Sequence, residues 1–374
     1  MSPGKKARIL LNGLRAFASY RLGKSRLGHL PSYLWIEPTN HCNLKCIMCP
    51  SGAGRVRAER GDMDPALFRQ IIDEIHPWAS TIILAMGGES LLHPGLSDMI
   101  RTAEGRGIKV HLNTNATLLD ENKTEELLAA GISSISFAFD GFGKGPYERA
   151  RRGADFGLTV GRILHFLRRR KAMRRKKPYA VLSILDLGRD DSSPEDKGKF
   201  LRAFDGLIDD VHVRSPNSWG PVFLECPDFR FDTFDRPSGP CGRLWNTLGL
   251  AWNGDVLPCS FDMNHDYVLG RLGRTTVAEA WNGPAMVALR KAWLEGRPLD
   301  LLPLCRNCTV AGSPRILGVP AGLRASLADG LTNVFGYGLE RKAIRFANLM
   351  RRGRFTARPV RDGAAAWTSL EDSR

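Results

Sequence analysis

Three cysteines, Cys42, Cys46 and Cys49, stand in the run Thr39-Asn40-His41-Cys42-Asn43-Leu44-Lys45-Cys46-Ile47-Met48-Cys49-Pro50, and their spacing constrains the chain more than any other feature. A closed four-iron cluster or a structural zinc site takes four ligands, whereas this run offers three thiolates. One metal corner is left open. An open iron beside a reducible cluster suits chemistry that binds a small molecule and passes it one electron. A zinc knuckle completed by His41 is the other arrangement these residues allow.

The apolar run Thr81-Ile82-Ile83-Leu84-Ala85-Met86 predicts a buried parallel strand. It ends in Gly87-Gly88-Glu89-Ser90-Leu91-Leu92-His93-Pro94, and glycines at a strand's C-terminal end let a ligand approach the backbone closely. Further strands are predicted at Gly107 to Asn115, Ile132 to Gly141, Tyr179 to Leu185 and Asp210 to Arg214. Patterns of helical period run over Pro65 to Trp78, Gly95 to Arg106, Leu119 to Ala130 and Thr159 to Arg170, with Asp64-Pro65 and Asp120-Glu121 as start signals. Strand and helix alternate, which argues for an α/β fold with a parallel sheet and crossover helices. Ligands in such sheets sit at the C-terminal strand ends, where these motifs fall. Ser215-Pro216-Asn217-Ser218-Trp219-Gly220 ends the last strand, either as a plain turn or as a segment facing the substrate.

From Trp35 to Cys308 the motifs resemble those of the radical S-adenosylmethionine (SAM) enzymes. The resemblance implies a partial (βα)6 TIM-type barrel in which Cys42, Cys46 and Cys49 hold a [4Fe-4S] cluster whose open iron chelates SAM. It further implies cleavage of SAM to methionine and a 5′-deoxyadenosyl radical, which removes a hydrogen atom from the substrate. Gly87-Gly88-Glu89 is similar to the family's Gly-Gly-Glu motif, which accepts hydrogen bonds from the SAM amino group. The strand carrying Asn113 and Asn115 is similar to one ending in Thr-Asn-Gly, although Ala116 and Thr117 follow here. Ser136-Phe137-Ala138-Phe139-Asp140-Gly141 resembles a strand ending in Ser-x-Asp-Gly near the SAM ribose and carboxylate. Ala138 stands where serine is frequent, which leaves Ser136 as the substitute candidate. Met48 replaces a commoner aromatic, its backbone directed toward the adenine.

Cys241, Gly254 and Cys259 form a C-x12-G-x4-C arrangement around Trp252-Asn253-Gly254-Asp255, where Asn-Gly predicts a hairpin turn with positive backbone dihedrals. Cys305 and Cys308 follow a helical stretch containing Glu279-Ala280-Trp281-Asn282. The arrangement resembles the SPASM or shorter twitch extension, which implies that Cys241, Cys259, Cys305 and Cys308 hold an auxiliary [4Fe-4S] cluster. A zinc ribbon is the alternative. Of eight cysteines only Cys226 is left over, which favours the twitch form with one auxiliary cluster and makes Cys226 a buried small hydrophobe. Four thiolates close that cluster, so it carries electrons and does not bind substrate.

By analogy of architecture, the leading expectation is SAM-dependent oxidation of a small polyhydroxylated substrate of sugar or cyclitol type, with the auxiliary cluster as electron acceptor. Peptide maturation is the rival enzyme activity, and a basic zinc protein that binds nucleic acid is the rival of another class. The net charge of +15 admits the last, but no aromatic-basic module or zinc-finger histidine pair appears. Much of the charge lies in Lys5, Lys6, Arg8, Arg15, Arg21, Lys24 and Arg26, in Arg168 to Lys177, and in Arg351, Arg352 and Arg354. The middle run reads as a helix end followed by a solvated loop.

The 374 residues, 43% of them hydrophobic, suffice for a sizeable core. The expected organisation is a basic arm or helix over 1–30, the barrel over 31–225, the auxiliary domain over 226–312 and a basic helical tail over 313–374. Leu10, Leu14 and Phe17 near the start, and Leu331, Val334, Phe335, Leu339, Ile344, Phe346 and Leu349 in the tail, lie among basic residues. Such amphipathic ends either cap the barrel or lie on an anionic membrane. No apolar run is long enough to span a membrane, and cysteines in metal spacings point to a reducing cytoplasm. The expected partners are a small-molecule substrate and a reductant such as flavodoxin or ferredoxin, with no nucleic acid.

Overall fold

The computed structural model describes residues 2–187, 192–219, 222, 239–306, 308–311, 315, 316, 318–320 and 323. Cys226, Gly220 and the apolar and basic residues of the tail lie outside the described residues. Helix α1 (Pro3–Arg21) opens the chain. Six strands then pair in parallel and in chain order: β1 (Tyr33–Ile36), β2 (Thr81–Leu84), β3 (Lys109–Thr114), β4 (Ser134–Ala138), β5 (Tyr179–Leu185) and β6 (Asp210–Arg214). Side chains alternate across each strand. Leu34, Ile36, Ile82, Leu84, Val110, Leu112, Ile135, Phe137 and Leu182 form the buried outer face.

Against that face pack the crossover helices α2 (Pro65–Ile75), α3 (Leu96–Gly105), α4 (Glu121–Ala130), α5 (Lys144–Ala150), α6 (Phe156–Ala172) and α7 (Pro194–Arg202). Phe68, Ile71, Ile72 and Ile75 of α2 and Ile163, Phe166 and Leu167 of α6 recur at helical period and are buried. Each such side chain stabilises the fold by about 1.5–3 kcal/mol. The Asp64 carboxylate caps α2 by accepting from Ala66 and Leu67 N–H, as its position before Pro65 predicts. Helix α6 starts three residues before the expected Thr159, because Asp155 caps it by accepting from Leu158 N–H.

The sheet stays open between β6 and β1. A strand from the cysteine-rich C-terminal part, β7 (Thr247–Leu250), joins the free edge of β1 in parallel, and β8 (Asp255–Leu257) and β9 (Gly270–Arg271) extend the sheet antiparallel. The two halves therefore share one nine-stranded sheet. The turn between β7 and β8 departs from the expected pair of positive dihedrals: only Gly254 is left-handed, at φ 89°. Gly254 N–H donates to Ala251 C=O and Ala251 N–H to Asp255 C=O, a three-residue loop in which glycine alone carries the left-handed position. Helices α8 (Val277–Trp281) and α9 (Pro284–Leu294) complete this part.

The basic first helix differs from expectation in the face it buries. Helix α1 buries Ile9, Asn12, Ala16 and Tyr20, not the Leu10–Leu14–Phe17 stripe; Leu14 is exposed and Phe17 only half-buried. The polar Asn12 wins the inner face because it is fully used. Its amide binds Leu30 N–H, Leu30 C=O and Ser32 Oγ just before β1, so α1 covers the N-terminal end of the barrel. The run from Arg168 to Lys177 ends α6 and continues as an exposed loop, as expected, with Arg170 as the exception inside the helix. Arg170 is buried, pairs with Asp209 and donates to Pro178 C=O (2.5 Å), while Lys177 donates to Ser133 Oγ at 2.9 Å.

His29 joins the segment after α1 to the cysteine-rich part. Its Nε2 lies 2.8 Å from Trp245 C=O, its ring meets the Trp281 edge, and its buried Nδ1 has no partner. Burial therefore holds its pKa down at about 4 against the opposing Trp245 hydrogen bond. Because the folded value is depressed, the stability contribution is complete above the ordinary histidine range and is lost as pH falls from about 6.5 to 4. Urea unfolding at pH 7.5 and pH 5 is expected to show His29→Gln losing roughly 1–2 kcal/mol less than the wild type on acidification. Equal losses would contradict a buried neutral imidazole.

Candidate active site

The cysteine loop leaves β1 at the C-terminal end of the barrel and is fastened there by backbone. Asn40 clamps its start, donating to Glu59 C=O at 2.7 Å and accepting from Gly61 N–H at 2.9 Å. Lys45–Cys46 pairs antiparallel with Arg151–Arg152, and Ile47 N–H donates to Ala150 C=O. Cys42 is exposed, Cys46 buried and Cys49 half-buried, and burial, aided by the neighbouring Cys49 and Cys42 sulfurs, pushes the Cys46 thiol up to about 12.

Gly88 is glycine for a reason other than ligand access. A Cβ there would lie 2.4 Å from Thr39 C=O and 2.5 Å from His41 C=O, so the loop's own backbone fills the space. Glu89 N–H donates to His41 C=O at 2.8 Å, and Gly87 N–H donates to the Glu37 carboxylate at 2.9 Å. The Glu89 side chain is buried and accepts from Leu91 N–H, Thr114 Oγ1 and Asn115 N–H at 2.7–3.0 Å. Asn115 in turn donates to Asn43 Oδ1 at 3.1 Å, and Asn43 donates to Thr117 Oγ1 at 2.8 Å. Gly87, Gly88, Glu89 and Asn115 thus bind the ends of β2 and β3 to the cysteine loop.

Asn113 and Ser136 sit elsewhere, on the inner face of the barrel. The His111 ring bridges them: Nε2 lies 2.9 Å from Asn113 Oδ1 and 3.2 Å from Ser136 Oγ, while Nδ1 lies 2.8 Å from Ser134 Oγ. Burial pushes the His111 pKa down to about 4, so the ring is neutral. On β5 and β6 the same inner face carries Ser183, His212 and Arg214, with Arg214 donating to Ser183 Oγ at 2.6 Å. On β1 and β2 it carries Tyr33, Trp35 and Ile83, all incompletely buried. Barrel interiors are usually packed with branched apolar side chains. Here a largely polar wall on β3 to β6 faces an aromatic one on β1.

Several residues of the site carry no sequence motif. Arg151, buried beneath the cysteine loop, pairs with Asp140 at 2.6 Å and points a second nitrogen at Cys46 Sγ, 4.0 Å away. Asp140 also accepts from Leu185 N–H at 2.9 Å, so the strand-end aspartate braces the barrel. Met48 is buried and its carbonyl accepts from Trp219 Nε1 at 3.0 Å. Residues 215–219 are therefore more than a plain turn: Trp219 reaches the cysteine loop, and Ser218 meets Thr309.

Cys241, Cys259, Cys305 and Cys308 line one pocket with Leu244, Phe261, Trp293, Leu302 and Val310. Burial raises Cys241, Cys305 and Cys308 above the ordinary thiol range, Cys241 to about 12. Thiols this buried become thiolates when a metal replaces the proton. Four sulfurs in one apolar pocket fit a closed iron-sulfur cluster. Arg243 stands between that pocket and the barrel. Its guanidinium lies 3.9 Å from Cys259 Sγ, 4.6 Å from the Phe261 ring centre and 5.6 Å from that of Trp35. Phe261 also packs on Trp219 at 4.5 Å, so contacts run unbroken from Met48 to Cys259.

Residues 36–197 match the radical SAM superfamily, and residues 241–309 match the iron-sulfur cluster-binding domain named SPASM. The chain is a radical SAM protein with a SPASM domain. Its cofactors are SAM and [4Fe-4S] clusters, one of them auxiliary. It is 25% identical over 323 residues to the tungsten-containing aldehyde ferredoxin oxidoreductase cofactor-modifying protein of Pyrococcus furiosus, spanning 74% of this chain and 87% of that one. It is 23% identical over 285 residues to the SAM-dependent 2-deoxy-scyllo-inosamine dehydrogenase of Niallia circulans, spanning 74% and 92%. The fold is that of Streptococcus suis SuiB, solved bound to precursor peptide SuiA, with TM-score 0.56 at 14% identity over 79% of this chain and 74% of that one.

The close approach at Gly88 generates a test of how the radical SAM domain seats its cysteines. Gly88→Ala is expected to displace the loop and lower iron in anaerobically reconstituted protein from about eight toward about four per chain. Circular dichroism should stay unchanged. Full iron content would show that the contact does not govern cluster assembly.

Proposed function

We infer that this radical SAM enzyme oxidises a hydroxyl-bearing carbon of a small polyhydroxylated substrate, of sugar or cyclitol type, to a ketone. Cys42, Cys46 and Cys49 hold the cluster that binds SAM, and Cys241, Cys259, Cys305 and Cys308 hold the auxiliary cluster. When bound, these groups supply a 5′-deoxyadenosyl radical that takes the substrate hydrogen and a nearby acceptor for the electron left behind. The chain's own residues do the rest. His111, Asn113, Ser134 and Ser136 offer a row of hydrogen-bonding groups to substrate hydroxyls. Trp35 and Tyr33 close the opposite side, and Glu89 and Asn115 keep the cysteine loop at the chamber's mouth.

The observation that carries this function is the Trp35–Arg243–Cys259 contact, which sets an auxiliary cysteine one side chain away from the chamber. A closed four-thiolate cluster in that position can receive an electron without binding the substrate. The dehydrogenase from Niallia circulans, similar over most of both chains, acts on a cyclitol amine by its name, which agrees with this substrate class. The clusters call for a cytoplasmic setting and a reductant such as flavodoxin or ferredoxin. No helix among the described residues is long and apolar enough to cross a membrane.

Reduced, reconstituted protein is expected to turn SAM into 5′-deoxyadenosine, measured by chromatography, and Cys42→Ala to abolish this. Cys305→Ala is expected to retain SAM cleavage while losing ketone formation on a panel of sugars and cyclitols. Full turnover by Cys305→Ala would remove the auxiliary cluster from the reaction, and a crosslinked peptide product in place of a ketone would favour peptide maturation.

A further inference from the structure

Arg214 is a cation on the inner face of the barrel. It ends β6, two residues after His212, and among the described residues its side chain bonds only to the neutral Ser183 hydroxyl. Among the described residues no carboxylate pairs with it: Asp140, the aspartate whose charge reaches it, is occupied by Arg151 and by Leu185 N–H. Asp210, lower on the same strand, is taken by His212 at 3.0 Å. Arg214 and His212 are exposed on that face, so the guanidinium's remaining donors are open to a ligand. His111 and His212 face the same space, and the neutral His111 adds no negative charge.

A guanidinium held in such a place gains most from a planar or tetrahedral oxyanion, which accepts two parallel N–H bonds. Ser183 fixes one edge of the fork and leaves the other donors toward the chamber. We propose that the substrate carries an oxyanion, a carboxylate or a phosphate monoester, bound by Arg214. Its hydroxyl-bearing carbons then lie against His111, Asn113 and Ser136. The inference rests on the barrel interior being the substrate chamber of the proposed oxidation, and it narrows that substrate class to acidic or phosphorylated polyols. Arg214 acts here as a specificity residue, since nothing in its position asks it to move a proton.

The test compares ligands that differ only in the anion. D-Glucose, D-glucuronate and D-glucose 6-phosphate are titrated calorimetrically into anaerobic, SAM-loaded holoenzyme, with inorganic phosphate as the anion alone. The anionic sugars are expected to bind about tenfold or more tightly than glucose, as for a charge-assisted bond to arginine. Arg214→Gln should erase that difference and Arg214→Lys should keep part of it. Three results would overturn the proposal: equal affinity for neutral and anionic sugars, an advantage that survives in Arg214→Gln, or a loss of SAM affinity in Arg214→Gln that assigns the guanidinium to the SAM carboxylate. Because the readout is binding without turnover, an Arg214-dependent preference for anions stands even if no ketone forms, and only the oxidation would then fail.

Discussion

Thr39 and His41 carbonyls occupy the volume that a side chain on Gly88 would need, and Glu89 N–H binds the second of them. This backbone-on-backbone seat decides how the three cysteines stand relative to the barrel. Glu89 secures it from below by holding the end of β3, and Asn115 and Asn43 extend the hold across to the loop. A loop fixed in this way presents three sulfurs, the donor set that the proposed function gives to the SAM-binding cluster. The buried carboxylate of Glu89 accepts three hydrogen bonds, and that satisfaction is what permits it inside the protein.

The shared sheet has a chemical consequence. Because β7 pairs with β1, the residues after it begin from the barrel wall, and Cys241 and Cys259 flank a strand of the same sheet as Trp35. Arg243 then spans from that wall to an auxiliary sulfur, while Trp219 and Phe261 link the same region to Met48 beside the first cluster's cysteines. Rigid sheet registry, not a flexible linker, sets the distance between the two cysteine sites. The barrel's inner face between them is asymmetric, largely polar on β3 to β6 and aromatic on β1.

Alternation of strand and helix made the six parallel strands legible, and β5 and β6 agree to the residue because each is bounded by turn residues. The cysteine spacings were readable for a simpler reason: metal ligands must recur at short, fixed separations. Less visible were interactions between distant positions. Nothing local marks Arg151, Arg214 or Arg243 among so many arginines, and each acquires meaning only from what the fold sets beside it. The Asn-Gly turn was anticipated as a hairpin but with the wrong loop, since loop length depends on strand register. Asn12 escaped the helical pattern of α1 because apolar spacing cannot foresee a buried amide with every group satisfied.

Direct coordination of SAM by the cluster of Cys42, Cys46 and Cys49 is the central claim, and electron-nuclear double resonance on the reduced protein tests it without knowledge of the substrate. With SAM labelled by 15N at the amino group and 17O at the carboxylate, the account predicts hyperfine coupling of both nuclei to the cluster spin, in Cys305→Ala as in the wild type. A cluster signal that SAM leaves unchanged, with no coupling to either nucleus, would contradict it.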